Sequence, residues 1–156
     1  MRFILLDRVE ELEPGKKIVA IKNITLAEEY LQDHFPAFPV LPGVLSIEAL
    51  VQSAAMLVRV TNDFRQSMIV LDEAVNVKYK NLVKPGNTLR MELIAKKIDE
   101  NSSSFVAKTT SNDIIMVEAR LKLRHFNLAD KDKDLADVDV RLINELKQQA
   151  KLVGAC

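Results

Sequence analysis

A long, almost continuously apolar segment at residues 44–60 is the feature that most constrains how this chain folds. An α-helix that is apolar around its whole circumference is normally buried on every side. We therefore expect one central helix that the rest of the chain covers. The polar interruptions of the segment are Ser46, Glu48, Gln52, Ser53 and Arg59. They are too frequent for a helix that crosses a bilayer, so no membrane span is expected.

Segments on both sides of this helix have the features of β-strands. Upstream, residues 3–9 and 17–24 predict a hairpin around the turn at Pro14-Gly15, and residues 26–32 predict a single helical turn. Downstream, strands are expected over residues 67–79, 88–98, 105–110 and 114–126, with turns at residues 85–87, 101–102 and 112–113. This order predicts an α+β fold in which an antiparallel sheet wraps around one long helix.

The C-terminal part of the chain differs in character from the part before it. Residues 127–139 are mostly charged, and apolar residues then recur at helical spacing at Val138, Leu142, Leu146, Ala150 and Val153. We expect two parts: residues 1–126 form the sheet-and-helix domain, and residues 127–156 form a charged linker with an extra amphipathic C-terminal helix.

Length, charge and cysteine content narrow the class of protein. With 156 residues, of which 48% are hydrophobic, the chain fits one compact unit with a sizeable core. The 22 Lys and Arg residues balance 22 Asp and Glu residues, which argues against general nucleic-acid binding. The single cysteine, Cys156, can form no intrachain disulfide, and the apolar N-terminal run is too short for a signal peptide. We expect a soluble cytoplasmic protein.

Three groups around the start of the central helix have the chemistry of a proton-transfer site. A carboxyl taken into apolar surroundings favours its protonated form, so Glu48 is a candidate proton donor, with Gln52 one turn later on the same face. His34 precedes a loop with three prolines, which is expected to be stiff, and is a candidate base. The backbone N–H groups of Gly43 and Val44, at the helix start, can polarise a carbonyl.

Each group also has a purely structural interpretation. Glu48 can pair with Arg59 or another cation, or lie on a half-exposed helix face. A single histidine is more often a surface or core residue than a catalytic one, and every helix has free N–H groups at its start. The combination around one rigid loop nevertheless favours a site that removes a proton next to a carbonyl.

The sequence of residues 34–52, HFPAFPVLPGVLSIEALVQ, closely resembles the active-site segment of the (3R)-hydroxyacyl-acyl-carrier-protein dehydratases of type II fatty-acid synthesis. The His-Phe-Pro start, Pro-Gly-Val-Leu at residues 42–45, the Glu-Ala pair and Gln52 all fall in register. Further matches are residues 3–9, Lys22-Asn23-Ile24-Thr25, Val77-Lys78-Tyr79-Lys80 and Pro85-Gly86. The resemblance covers about residues 3–126.

This resemblance implies the hotdog fold and a homodimer, in which the histidine of one subunit faces the glutamate of the other, commonly assembled as a trimer of dimers. His34 would then remove the C2 proton of a 3-hydroxyacyl chain carried by acyl carrier protein. Glu48 would protonate the departing hydroxyl, and the Gly43 and Val44 N–H groups would polarise the thioester carbonyl. No metal or organic cofactor is implied. The candidates for contact with the substrate are Phe38, Leu41, Ile47, Gln52 and Met56.

Two further expectations concern the surface and the loop. A basic patch is a candidate docking site for the acidic carrier protein. Its residues are Lys78, Lys80, Lys84, Arg120, Lys122 and Arg124. Ala37 stands where the family usually has glycine, and with the bulk of Phe38 beside it this change can narrow substrate access or alter the loop. Two alternatives to the dehydratase therefore stay open: a non-catalytic or heteromeric hotdog subunit that binds acyl chains or a partner protein, and a hotdog acyl thioesterase.

Overall fold

The structure is a computed structural model that describes residues 3–156. Within this range the chain forms one six-stranded antiparallel sheet and three α-helices. The strands are β1 (Arg8–Glu13), β2 (Lys17–Asn23), β3 (Met68–Tyr79), β4 (Thr88–Ile98), β5 (Ser102–Ser111) and β6 (Ile114–Phe126). The helices are α1 (Tyr30–Asp33), α2 (Gly43–Thr61) and α3 (Ala136–Leu152).

The sheet wraps around α2, as the apolar circumference of that helix predicts. The strand order is β1-β2-β4-β5-β6-β3. Strand β1 lies at one edge of the sheet, and helix α2 contacts the other five strands. Leu50 and Leu57 of α2 meet Leu93 and Leu123 of the sheet in one core, where none of the four side chains is exposed. The α+β fold with a central helix is thus confirmed.

Helix α2 is also the one helix among residues 3–156 that is long and apolar enough to cross a membrane, with a mean hydropathy of 1.5 over 18 residues. Most of that segment is buried inside the protein. The sheet accounts for its apolar character, because a core helix needs apolar residues on every face.

The first strand is where the sequence-based prediction was wrong. Residues 3–7 form no strand, and β1 begins only at Arg8. Leu5 and Leu6 instead pack into the core, and the Leu5 N–H donates to Gln52 Oε1 over 2.9 Å. Their apolar side chains, which suggested a strand, bury this segment against α2. β5 also begins earlier than predicted, at Ser102 rather than at residue 105.

The C-terminal helix packs on the domain rather than extending away from it. Ala150, Val153 and Ala155 belong to the buried core, and the Val153 carbonyl accepts a 2.7 Å hydrogen bond from the Val9 N–H. The charged linker folds into two short 3₁₀ turns, Leu128–Asp130 and Lys133–Leu135. The buried carboxylate of Asp139 fastens this region, since it accepts hydrogen bonds from Ser67 Oγ and from the Leu128 and Ala129 N–H groups.

Candidate active site

His34 follows α1 and is held in one orientation by the proline-rich loop. Its Nδ1 lies 3.0 Å from the Val40 carbonyl oxygen, and the Val40 N–H donates back to the His34 carbonyl over 2.9 Å. A carbonyl can only accept, so Nδ1 carries the hydrogen in this contact. In the neutral ring, Nε2 then keeps its lone pair free to take a proton. The half-buried imidazole is stacked on Phe35, with ring centroids 4.3 Å apart.

The loop after His34 is anchored at both ends. Phe35 and Phe38 exchange backbone hydrogen bonds of 3.3 and 3.0 Å, and the Leu41 N–H donates to the Val83 carbonyl over 2.8 Å. Ala37 does not have a positive φ. An alanine at this position therefore requires no left-handed backbone conformation.

The start of α2 presents free N–H groups, as expected for a helix without a side-chain cap. Pro42 occupies the N-cap position, and no hydrogen-bond acceptor within residues 3–156 faces the Gly43 or Val44 N–H. The Val44 side chain is 72% exposed in the protomer. A Cβ on residue 43 would lie 2.9 Å from Tyr79 Cε1, so glycine allows the Tyr79 ring to pack against the helix start.

Glu48 lies one turn into α2 and does not pair with Arg59. Its Oε1 accepts a 2.9 Å hydrogen bond from Gln52 Nε2, which also donates to the Phe3 carbonyl over 2.8 Å. Glu48 forms no ion pair within residues 3–156. The structural interpretation as an Arg59 salt bridge is therefore wrong, and the carboxyl is held by an amide that leaves its second oxygen free.

Glu48 opens into a cavity of about 400 Å³ between α2, the N-terminal segment and α3. Gln52 and Met56, both predicted to contact substrate, line it together with Phe3 and Ile4. Leu146 and Gln149 of α3 also contribute to its wall. His34 does not line this cavity, so one protomer does not bring the candidate base and the candidate acid to the same space.

The other predicted substrate contacts lie outside this cavity. Leu41 and Ile47 are buried in the core of the protomer. Phe38 is 47% exposed, and the Lys84 ammonium lies 4.8 Å from the centre of its ring.

The basic residues predicted to dock a carrier protein do not form one patch. Lys84 is beside the active-site loop through its contact with Phe38. Arg120, Lys122 and Arg124 alternate on β6 with buried Leu121 and Leu123, so they point to the face of the sheet opposite α2. Lys78 is exposed on β3 near Arg120, and Lys80 pairs with Glu118 at 2.7 Å.

Several residues of the site were missed at the sequence level because backbone atoms or tertiary packing provide their function. The Val40 carbonyl orients His34, and the Phe3 carbonyl and Leu5 N–H hold Gln52. Nothing in the side chains indicates these contacts. Arg59 also lines the cavity, and its spacing of eleven residues from Glu48 places it on the same helix face. Within the described residues, no three His, Cys, Asp or Glu side chains cluster as a metal site would require.

Comparison with solved structures supports the hotdog fold. The Xenorhabdus doucetiae dehydratase heterocomplex ApeI:P matches with a TM-score of 0.70 at 16% identity, covering 86% of this chain and 90% of that chain. A mutant thioesterase from Pseudomonas aeruginosa matches with a TM-score of 0.60, also at 16% identity, covering 76% of this chain and 80% of that one. Identities this low establish the fold alone, which dehydratases and thioesterases share.

Sequence comparison identifies the family as well as the fold. The 3-hydroxyacyl-[acyl-carrier-protein] dehydratase FabZ of Ruminiclostridium cellulolyticum is 47% identical over 58% of this chain, and the match spans 63% of that protein, a little under two thirds. FabZ of Geobacter metallireducens is 37% identical over 84% of this chain and 87% of its own length. Residues 1–127 match the FabA-like domain. The chain therefore belongs to the FabA-like family.

Proposed function

We propose that this protein removes water from (3R)-3-hydroxyacyl chains attached to acyl carrier protein and releases trans-2-enoyl chains, as a cytoplasmic enzyme of fatty-acid or related lipid biosynthesis. Membership of the FabA-like family and the names of the FabZ relatives support this activity. The observation that carries the proposal is the fixed orientation of His34, whose Nδ1–H bonds to the Val40 carbonyl and leaves Nε2 available as a base.

The reaction needs two proton transfers, and the chain offers one group for each. Nε2 of His34 takes the C2 proton, and the electrons of that C–H bond form the C2–C3 double bond. The C3–O bond breaks, and Glu48 donates a proton to the departing hydroxyl, which leaves as water. Separate groups for base and acid favour this elimination over thioester hydrolysis, which needs an activated water instead.

The carbonyl of the thioester gains negative charge as the C2 proton leaves. The free N–H groups of Gly43 and Val44 lie at the positive end of the α2 dipole. Donors fixed in this way stabilise a developing oxyanion without reorganising during the reaction.

The complete site is proposed to form between two protomers, with His34 of one facing Glu48 of the other. The separation of His34 from the Glu48 cavity within one protomer supports this arrangement. Within residues 3–156, the outer edge of β3 has no neighbouring strand, and Leu71 and Val75 on β3 are 40% and 41% exposed. An unpaired edge with exposed apolar residues is suited to joining two sheets. These features support a homodimer, and we propose its assembly as a trimer of dimers because the resemblance implies it.

The carrier protein is proposed to approach at the active-site loop. Lys84 and Phe38 offer a cation and an exposed ring beside His34, which suits an acidic partner. Lys84 is the basic residue that contacts the active-site loop, whereas Arg120, Lys122 and Arg124 lie on the outer face of β6, so Lys84 is expected to contribute most to docking.

Hydration of crotonyl thioester, the reverse reaction, tests the activity through loss of the enoyl absorbance. The dehydratase proposal predicts hydration by the wild-type protein and its loss in the His34→Asn variant. Release of free thiol without hydration would identify a thioesterase. If neither occurs and acyl carrier protein still binds, the protein is a non-catalytic subunit.

A further inference from the structure

Four side chains of α2 form a stripe that runs from the candidate acid to the far end of the cavity. Glu48, Gln52, Met56 and Arg59 are spaced by four, four and three residues, so they share one helix face, and all four line the cavity of about 400 Å³. Eleven residues correspond to about 16 Å along the helix axis. Long side chains on a helix generally lean back toward its N-terminus, which shortens such a distance.

At the end of this stripe, Arg59 is a cation that has no anionic partner within residues 3–156. Its Nε is buried and has no hydrogen-bond acceptor, and its guanidinium forms no ion pair within residues 3–156. Burial lowers the pKa of Arg59 to about 10, so the group is still charged at neutral pH. Arg59 is half-buried and its Nε is fully buried, so an anion that enters the cavity would supply a counter-charge where solvent access is restricted.

The surroundings of Arg59 leave room for such an anion. Arg59, Leu146 and Gln149 also border a second, larger cavity of about 1000 Å³ under α3. The acidic residue on that second cavity is Glu145 of α3, which is exposed and makes no ion pair with Arg59. Glu48 is too far along the helix to neutralise the guanidinium.

We propose that the cavity accepts a 3-hydroxyacyl chain whose far end bears a carboxylate, and that Arg59 binds this carboxylate under α3. The inference rests on the proposed function, because it places the thioester end of the chain at Glu48. A carboxylate is the best match for the fork of guanidinium donors, which can bind both of its oxygens. The apolar part of the chain packs on Met56 and Leu146 between the two polar ends.

The test compares matched pairs of trans-2-enoyl thioesters that have the same length and end in either a methyl group or a carboxylate. The readout is kcat/KM for the carboxylate-ended substrate divided by kcat/KM for the methyl-ended substrate in the hydration reaction. This ratio is measured over a series of chain lengths. Wild type should favour the carboxylate at one length, and Arg59→Met should lower the ratio about 10- to 100-fold at that length. Arg59→Lys keeps the charge but loses the fork, so its ratio should be intermediate and gives a second variant if Arg59→Met does not fold.

Arg141→Met is the matched control, because it removes an exposed arginine of α3 that lines neither cavity; its ratio should equal that of wild type. The inference would be overturned if wild type preferred the methyl-ended substrate at every length. It would also be overturned if the ratio in Arg59→Met equalled that of wild type. The inference also fails if a carboxylate of the partner subunit neutralises Arg59, since Arg59→Met would then weaken the oligomer and leave the ratio unchanged.

Binding separates this inference from the proposed function. If no substrate is hydrated, the proposed function is wrong. Thermal shifts with free dicarboxylic acids of the same lengths then test carboxylate binding at Arg59 independently of catalysis. A shift in wild type that is lost in Arg59→Met supports the site, and the absence of a shift in wild type refutes it.

Discussion

Gln52 shows how a single residue connects the candidate acid to the rest of the fold. Its Nε2 donates to both Glu48 Oε1 and the Phe3 carbonyl, while its Oε1 accepts from the Leu5 N–H. An amide can make these contacts because it has two donor hydrogens and an acceptor oxygen. The Glu48 carboxyl is therefore positioned by the same residue that holds the N-terminal segment against α2.

Replacing Glu48 by glutamine should separate proton donation from positioning. The oxygen of the introduced amide can still accept from Gln52, so the unfolding midpoint should stay close to that of wild type. The proton donor is lost, and kcat/KM for hydration of crotonyl thioester should fall about 100- to 10,000-fold. Glu29→Gln, at an exposed position, is the control and should keep full activity. A wild-type rate in Glu48→Gln would contradict the acid role.

Asp139 should make stability depend on acid pH. Burial tends to raise its pKa, but hydrogen bonds from Ser67, Ala129 and Leu128 outweigh this effect and hold the pKa below its usual range. A depressed carboxyl pKa stabilises the fold above the unfolded-state value of about 3.9, and this contribution disappears as the pH falls through the folded-state pKa.

The Asp139→Asn variant should lose about 1–3 kcal/mol of unfolding free energy at pH 7, because an amide cannot accept from all three donors. Denaturant unfolding at a series of pH values should show the difference from wild type shrinking below about pH 4. Asp137→Asn, exposed in the same helical turn, should have a much smaller effect. An equal loss in both variants would assign the effect to the helix dipole rather than to the buried hydrogen bonds.

At the level of elements, the sequence predicted best where side-chain periodicity determines structure. The apolar run predicted α2, whose observed bounds are Gly43–Thr61, and the prediction for β4 matched Thr88–Ile98. Periodicity failed at residues 3–7, because apolar residues that pack against a helix resemble those of a strand. It also could not indicate how the linker is fixed, since the Asp139 contacts depend on residues far apart in sequence.

The turn between β5 and β6 places two non-glycine residues at positive φ, which is unfavourable, and a substitution should relieve this strain. Asn112 and Asp113 form a two-residue hairpin loop with φ of 49° and 63°. Positive φ at both positions is typical of a type I′ turn, for which Asn-Gly is a preferred pair. Asp113→Gly should raise stability by roughly 0.5 kcal/mol, or about 1–2 °C in Tm at fixed protein concentration. Asp113→Ala should instead lower the Tm, because alanine is unfavourable at positive φ. A higher Tm for the alanine variant than for the glycine variant would rule out this explanation.

For the whole molecule, the residues of the candidate site and their arrangement across two subunits were both predicted from the resemblance, and one protomer tests only part of that prediction. The resemblance across residues 34–52 named His34, Glu48 and the α2 N–H groups together. In the structure, Glu48 faces a cavity that His34 does not line. The spacing of residues on one helix can place Glu48 and Arg59 on one face, whereas the expectation of a site shared by two protomers came from the resemblance alone.

Mixing two inactive variants tests the shared site directly. The expectation is that His34→Ala and Glu48→Gln are each inactive, because every site lacks one group. In a mixed dimer, one site loses both groups while the other combines an intact His34 with an intact Glu48. Random exchange of equal amounts makes half of the dimers mixed, so activity should return to about one quarter of wild type. The measurement is crotonyl thioester hydration after the two variants are unfolded and refolded together, with each variant refolded alone as the control. If the mixture stays as inactive as its components although the subunits have exchanged, each protomer must carry its own complete site.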